Sequence, residues 1–222
     1  MKEKKVSTNQ ILVESALMVA IATVLNVVCS WIPFLNLPFG GGFTICSMLP
    51  IVLVAYRNGT KWGLVSGFAY ALIQMLLGFK TVAAFFMPGD EQMVLWKALL
   101  VCFIDYIVAY TVLGFGGIFR KSIKNPAVSI SVGSIVALSL RYLAHTISGF
   151  LFFGTWAEWF FTQDGFPAFG AKIVEFFGNG QGLALFYSFF YNGLYMIPEI
   201  IITAVVALLI GNIPQINGKK RA

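Results

Sequence analysis

An all-α integral membrane protein, six helices in one bundle, is the fold class this sequence predicts, and three observations predict it. Of its 222 residues 59% are hydrophobic and only 11% charged, whereas soluble domains carry about 25% charged residues. Mostly apolar runs of about 18 residues or more recur along the chain, the length that crosses hydrocarbon. The basic residues gather in alternate connections, the pattern of a chain that threads a membrane repeatedly. A separate soluble domain is not expected, and the whole chain, 1–222, reads as one transmembrane unit.

The spans follow in order. Span one covers 11–31 and stops before Pro33. Its apolar run exceeds a signal-peptide core and no small-residue cleavage site follows, so it reads as a retained helix. The stretch 34–42, with Pro38 and Gly40-Gly41-Gly42, reads as a loop. Span two, 43–56, is short and contains Pro50, which predicts a kinked or incomplete crossing. Span three covers 62–79, after the basic turn Arg57-Asn58-Gly59-Thr60-Lys61.

The stretch 80–93, with Pro88-Gly89-Asp90-Glu91, reads as an exposed loop. Span four covers 94–119 and span five 127–153, joined by the basic turn Arg120-Lys121-Ser122-Ile123-Lys124. A polar and aromatic connection, 154–182, carries at 168–177 a pattern suited to a short interfacial helix. Span six covers 183–210, with a kink expected near Pro198.

The two ends and the turns after spans two and four hold eleven of the fifteen Lys and Arg. The positive-inside rule therefore puts both termini in the cytoplasm. Asp90, Glu91, Glu158, Asp164 and Glu175 fall on the other side. The net charge of +6 is accounted for by this asymmetry, and no nucleic-acid partner is expected.

The polar residues inside the spans are where function should lie. Arg141, His145, Gly149 and Phe153 recur every four residues and make one stripe along span five. Burying a guanidinium in hydrocarbon costs at least about 2.5–3.5 kcal/mol, so Arg141 should face protein or a water-filled cavity. At about 1.5 Å per residue, His145 lies roughly 27 Å above the inner end of span five. Asp105 lies about 16 Å, and Asn192 about 14 Å, below the outer ends of spans four and six. With Trp31 at the outer end of span one, groups from four spans converge on the outer half of the bundle.

Two roles are open for Asp105: a salt bridge with Arg141, or the counter-charge of a cationic ligand, and both can hold together. Aromatic side chains at this level, Trp31, Tyr106, Phe153 and Tyr187 among them, can stack on a flat or cationic ring. Glu199, in the inner half beside Pro198, reads as a group that satisfies neighbouring polar atoms. Gly59, Gly63, Gly67 and Ala71, at four-residue spacing, predict close packing of span three within the bundle, and Ala16 with Ala20 makes a similar small face on span one.

Several chemistries are excluded by what the sequence lacks. It contains no GxxxxGK[ST] phosphate loop, no HExxH and no GxSxG elbow. One histidine, and three cysteines (Cys29, Cys46, Cys102) at no ligand spacing, predict neither a metal centre nor a cofactor. A small bundle with an outward pocket and no energy source reads as a binding subunit, not an enzyme.

The combination Asp105-Tyr106, Arg141-Tyr142-x-x-His145-x-x-x-Gly149 and Tyr187-Ser188-x-x-Tyr191-Asn192-x-x-Tyr195-Met196-x-Pro198-Glu199 resembles the thiamine-specific S components (ThiT/YuaJ family) of energy-coupling-factor (ECF) vitamin transporters. The run Glu14-x-Ala16-x-x-x-Ala20 and the turn Tyr56 to Gly63 fit as well. The resemblance implies the six-helix S-component fold and a thiamine pocket in which Trp31, Asp105, Tyr106, Arg141, His145, Gly149, Phe153, Tyr187 and Asn192 take part. It implies that Ala16 and Ala20 dock on a membrane scaffold subunit, which works with two cytosolic ATPases in a prokaryotic cell membrane. In that family glutamate is more usual at the Asp105 position, lysine at Arg141 and tryptophan at Phe153. An S component for another small vitamin or precursor, and a purely structural membrane protein, are the rival readings; Asp105→Asn should weaken a cation's binding more than a neutral ligand's.

Overall fold

A computed structural model describes residues 7–37, 42–164 and 166–217. The basic terminal runs at Lys2 to Lys5 and Lys219 to Arg221, and most of the turn with Pro38 and Gly40-Gly41, lie outside the described residues. Helix α1 (Thr8–Ser30) opens on a capping box. The Ser7 side chain accepts from the Gln10 amide at 3.3 Å, and the Gln10 side chain accepts from the Ser7 amide at 3.0 Å.

Helix α2 (Leu49–Asn58) begins six residues later than the start of the span expected at 43–56. Pro50 is the reason: in the first helical turn its missing N–H leaves no bond unmade, so it starts the helix and kinks nothing. The residues before it, 42–48, run irregularly into the bundle. From Leu49 to Tyr56 every side chain of α2 is buried, which makes it the central post.

Helix α3 (Thr60–Leu77) follows across Gly59, whose φ of +98° only glycine adopts readily. The small stripe on α3 packs inside the bundle, as expected. A Cβ added to Gly63 would lie 2.4 Å from the Ala55 Cβ and 2.9 Å from the Gly114 Cα, so three backbones meet there. Helix α4 (Phe79–Ala84) takes up the first part of the stretch 80–93 read in the sequence as exposed loop. Residues 86–92 are exposed as expected, while Phe85 is buried against the bundle.

The fourth long element, α5 (Leu95–Arg120), changes its winding three times. It is α-helical to Cys102, takes a π turn over Phe103–Val108, returns to α over Ala109–Thr111 and tightens to 3-10 geometry over Val112–Arg120. Helix α6 (Pro126–Phe152) starts with Asn125 accepting from the Val128 amide at 3.2 Å and with Pro126 at its first position. Two short helices, α7 (Ala157–Thr162) and α8 (Phe169–Phe177), fill the connection to α9 (Gln181–Ile210), and α8 matches the helix expected at 168–177. Helix α9 runs on through Pro198, and α10 (Pro214–Asn217) follows it.

Among the described residues four helices, α1, α5, α6 and α9, are long and apolar enough to cross a membrane. Helices α2 and α3 occupy the places of the other two expected spans, with 10 and 18 residues. Hydroxyl groups join α6 to α9: Ser131 donates to the Ala204 carbonyl at 2.9 Å, Ser188 to Thr146 at 2.7 Å and Tyr142 to Phe189 at 2.7 Å. Such bonds hold helices where lipid supplies no hydrophobic drive between them.

Candidate binding site

A cavity of about 940 Å³ opens between the helices, lined from α1, α3, α5, α6, α9 and the segments 42–48 and 85–93. Trp31, Asp105, Tyr106, Arg141, His145, Gly149, Phe153, Tyr187 and Asn192 all line it. The nine positions read from the sequence as pocket residues are therefore brought to one space.

Asp105 is aimed by the π turn, in which an i→i+5 bond accommodates an extra residue, a feature frequent at functional sites. One carboxylate oxygen lies 2.8 Å from His145 Nδ1, and the other accepts from the Ser148 hydroxyl at 2.6 Å. With Nδ1 on a carboxylate, the ring proton belongs there, and Nε2 is buried without a hydrogen-bond partner among the described residues. The Asp105 side chain keeps 21% of its surface exposed, so its charge is held in place but still faces the cavity.

Arg141 does not pair with Asp105. Its guanidinium lies 3.9 Å from Glu199 Oε2, donates to the Tyr110 hydroxyl at 3.1 Å and to the Met48 sulfur at 3.0 Å, and sits 4.5 Å from the centre of the Tyr110 ring. Glu199, fully buried, accepts from the Thr44 amide at 3.2 Å and from the Thr44 hydroxyl. The irregular entry to α2 thus carries Thr44 to Glu199, and Glu199 draws Arg141 toward the cavity floor. Of the two roles open for Asp105, the bridge to Arg141 is not the one the structure forms, because each partner has a better-placed neighbour.

Gly149 serves differently from a residue that leaves room for a ligand. A Cβ there would meet Ser188 Oγ at 2.2 Å and Asn192 Nδ2 at 3.2 Å, so α9 fills the space. Asn192 is engaged within the protein: its oxygen accepts from the Tyr195 hydroxyl, and its amide donates to Ser188 O at 2.8 Å and His145 O at 3.3 Å. It fixes α9 against the His145 turn of α6.

The aromatic wall is layered. Trp31 is 75% exposed, whereas Tyr187 is buried with its ring centre 5.3 Å from Phe160 and 5.8 Å from Tyr191. Phe153 packs at 6.0 Å on Phe85, which folds over from the 85–93 segment and lines the cavity too. Trp156 also lines it.

Ser148, Tyr110 and Phe85 were missed by the sequence reading. Ser148 was legible, since it lies three residues after His145 on the same helical face; Phe85, inside an apparent loop, carried no signal. Ser148→Ala should weaken binding of a cationic ligand about 10-fold or more, the worth of one hydrogen bond to a charged group, with Ser148→Thr much closer to the unaltered chain. Parallel calorimetric titrations of the two variants check this, and equal affinities would show that the bond does not matter.

Fold and site together define a class: a multi-pass helical membrane protein built around one carboxylate-bearing, aromatic-walled cavity. The model of the family described as "Thiamine transporter protein (Thia_YuaJ)" matches residues 12–159. Thiamine transporter ThiT of Bacillus subtilis (strain 168) is 35% identical over 208 residues, covering 90% of this chain and 88% of the relative. The solved structure of ThiT from Listeria monocytogenes shares the fold, with a TM-score of 0.60 at 22% identity, over 93% of this chain and 96% of that one. The chain belongs to the Thia_YuaJ thiamine transporter family, and is a transport protein, not an enzyme.

Proposed function

We propose that this chain is the thiamine-capturing S component of an ECF-type importer in a prokaryotic cell membrane. The observation that carries the reading is the Asp105 carboxylate, held by His145 and Ser148 yet facing an aromatic-walled cavity. Thiamine joins a permanent thiazolium cation to a hydrogen-bonding aminopyrimidine. Asp105 supplies the counter-charge, Tyr106, Trp31, Phe153 and Tyr187 supply ring faces and edges, and His145 holds the carboxylate in place through Nδ1. Arg141 sets the floor through Glu199, and Asn192 and Gly149 hold the α6 and α9 walls in register.

Six crossings, with both termini in the cytoplasm, follow from the basic turns. The cavity then opens outward, and delivery inward draws on a membrane scaffold and two cytosolic ATPases, since the chain carries no phosphate loop. Ala16 and Ala20 are exposed on α1, which suits their use as the scaffold-docking face.

Isothermal titration of the purified chain with thiamine tests the ligand: saturable, submicromolar binding is expected, and no saturable heat would sink the reading. The same family resemblance yields a second prediction. Ala16→Trp and Ala20→Trp should abolish uptake in cells that make the partner subunits and leave calorimetric affinity within about twofold, because neither position lines the cavity. Normal uptake in both variants would remove the docking role.

A further inference from the structure

Two sequence motifs that the binding reading leaves unused meet in space. Glu14, from the run that contains Ala16 and Ala20, lies 2.8 Å from Arg57 Nε, in the last turn of α2. The side chains are only 12% and 13% exposed, and both lie toward the basic, inner end of the bundle. Helix α1 needs such a contact. It is the least buried of the four long helices, with 17% of its apolar window covered, and the side it buries is Ser15, Val19, Ala22 and Cys29.

Small side chains of that kind define a rotation poorly, and lipid on the other side is as apolar as the bundle. Polar contacts must then set the register. In the outer half of α1, Asn26 donates to Gln74 at 3.3 Å and Tyr70 donates to the Ala22 carbonyl at 3.4 Å. In the inner half, beside Ala16 and Ala20, Glu14 meets Arg57.

We propose that the Glu14–Arg57 ion pair is a registration clamp: it sets the rotation of α1 that points Ala16 and Ala20 away from the bundle, so that coupling to the partner subunit, but not ligand binding, depends on it. The proposal rests on the docking role given to Ala16 and Ala20 above. Neither Glu14 nor Arg57 lines the cavity, so a change in the clamp reaches transport without passing through the ligand.

The test is a charge-exchange set read by two assays: calorimetric thiamine binding to the purified chain, and uptake of labelled thiamine by cells that also make the scaffold and ATPases. Glu14→Arg and Arg57→Glu should each bind within about twofold of the unaltered chain. Each should lose uptake roughly tenfold or more, and the double exchange should regain most of it. Three results overturn the clamp: normal uptake in the single variants, loss of thiamine binding in them, or a double variant as inactive as the singles. The last would make these side chains direct partner contacts.

If the unaltered chain binds or transports no thiamine, the transport reading fails, and the clamp is judged on the chain alone. A nitroxide is attached at Ala20→Cys, the native cysteines Cys29, Cys46 and Cys102 being buried. Adding Glu14→Gln should then lower its collision rate with lipid-dissolved oxygen as α1 turns, and an unchanged rate overturns the clamp.

Discussion

Asp105→Asn should cost thiamine affinity about 100-fold or more while leaving the cavity its shape. The amide is nearly isosteric, so the Ser148 hydroxyl keeps an acceptor and Tyr106 keeps its place on the π turn. What goes is one negative charge in a partly desolvated site. At an effective dielectric near 20, a charge pair about 4 Å apart is worth about 4 kcal/mol, of which desolvation takes a share, so a net loss near 3 kcal/mol is a fair expectation. Titration with a neutral analogue, its thiazolium replaced by thiophene, is the control. It should bind the two proteins alike. Unchanged thiamine affinity would mean that the cation sits elsewhere.

The second large effect falls on stability. Glu199→Ala should destabilise the bundle by about 3–5 kcal/mol, because it leaves the Arg141 guanidinium in the interior without its carboxylate. In a thermal melt of the detergent-purified chain this amounts to a fall of order 10 °C. Thr44 would lose the acceptor for both its amide and its hydroxyl, and the entry to α2 would lose its tie to α9. The pair itself need not be stabilising: an apolar pair of similar volume often does as well. The double change Arg141→Met with Glu199→Leu should therefore melt higher than Glu199→Ala. A Glu199→Ala melt equal to that of the unaltered chain would refute the buried network.

These two residues mark where the sequence was readable and where it was not. Distances along a helix follow from rise and pitch, and so the Arg141, His145, Gly149, Phe153 stripe and the depth of Asp105 and Asn192 pointed to one cavity. Partners across helices do not follow from spacing. A bridge from Arg141 to Asp105 is one of two roles the sequence leaves open, and the choice is made by 42–48, whose irregular path brings Thr44 to Glu199. Pro50 predicts a kinked or incomplete crossing; counted from a helix that starts at Leu49 it is an ordinary first-turn residue and makes no kink, and α2, with 10 residues, is the shorter of those two outcomes. The small-residue stripe on α3 was legible because glycine and alanine at four-residue spacing have few uses other than close contact.

The change of winding in α5 was invisible, since Phe103 to Val108 contains neither glycine nor proline to announce it. Its consequence is one of counting. A π turn holds one residue more than the α-helix it interrupts, and that surplus shifts the phase of everything after it by about 100°. Asp105 looks into the cavity, while Gly114, nine residues on, touches Gly63. Deleting a single residue between 103 and 108 would leave a span of nearly the same length and hydropathy, with these two settings pulled out of step. The aim of the carboxylate is written in the number of residues in that turn as much as in their identity.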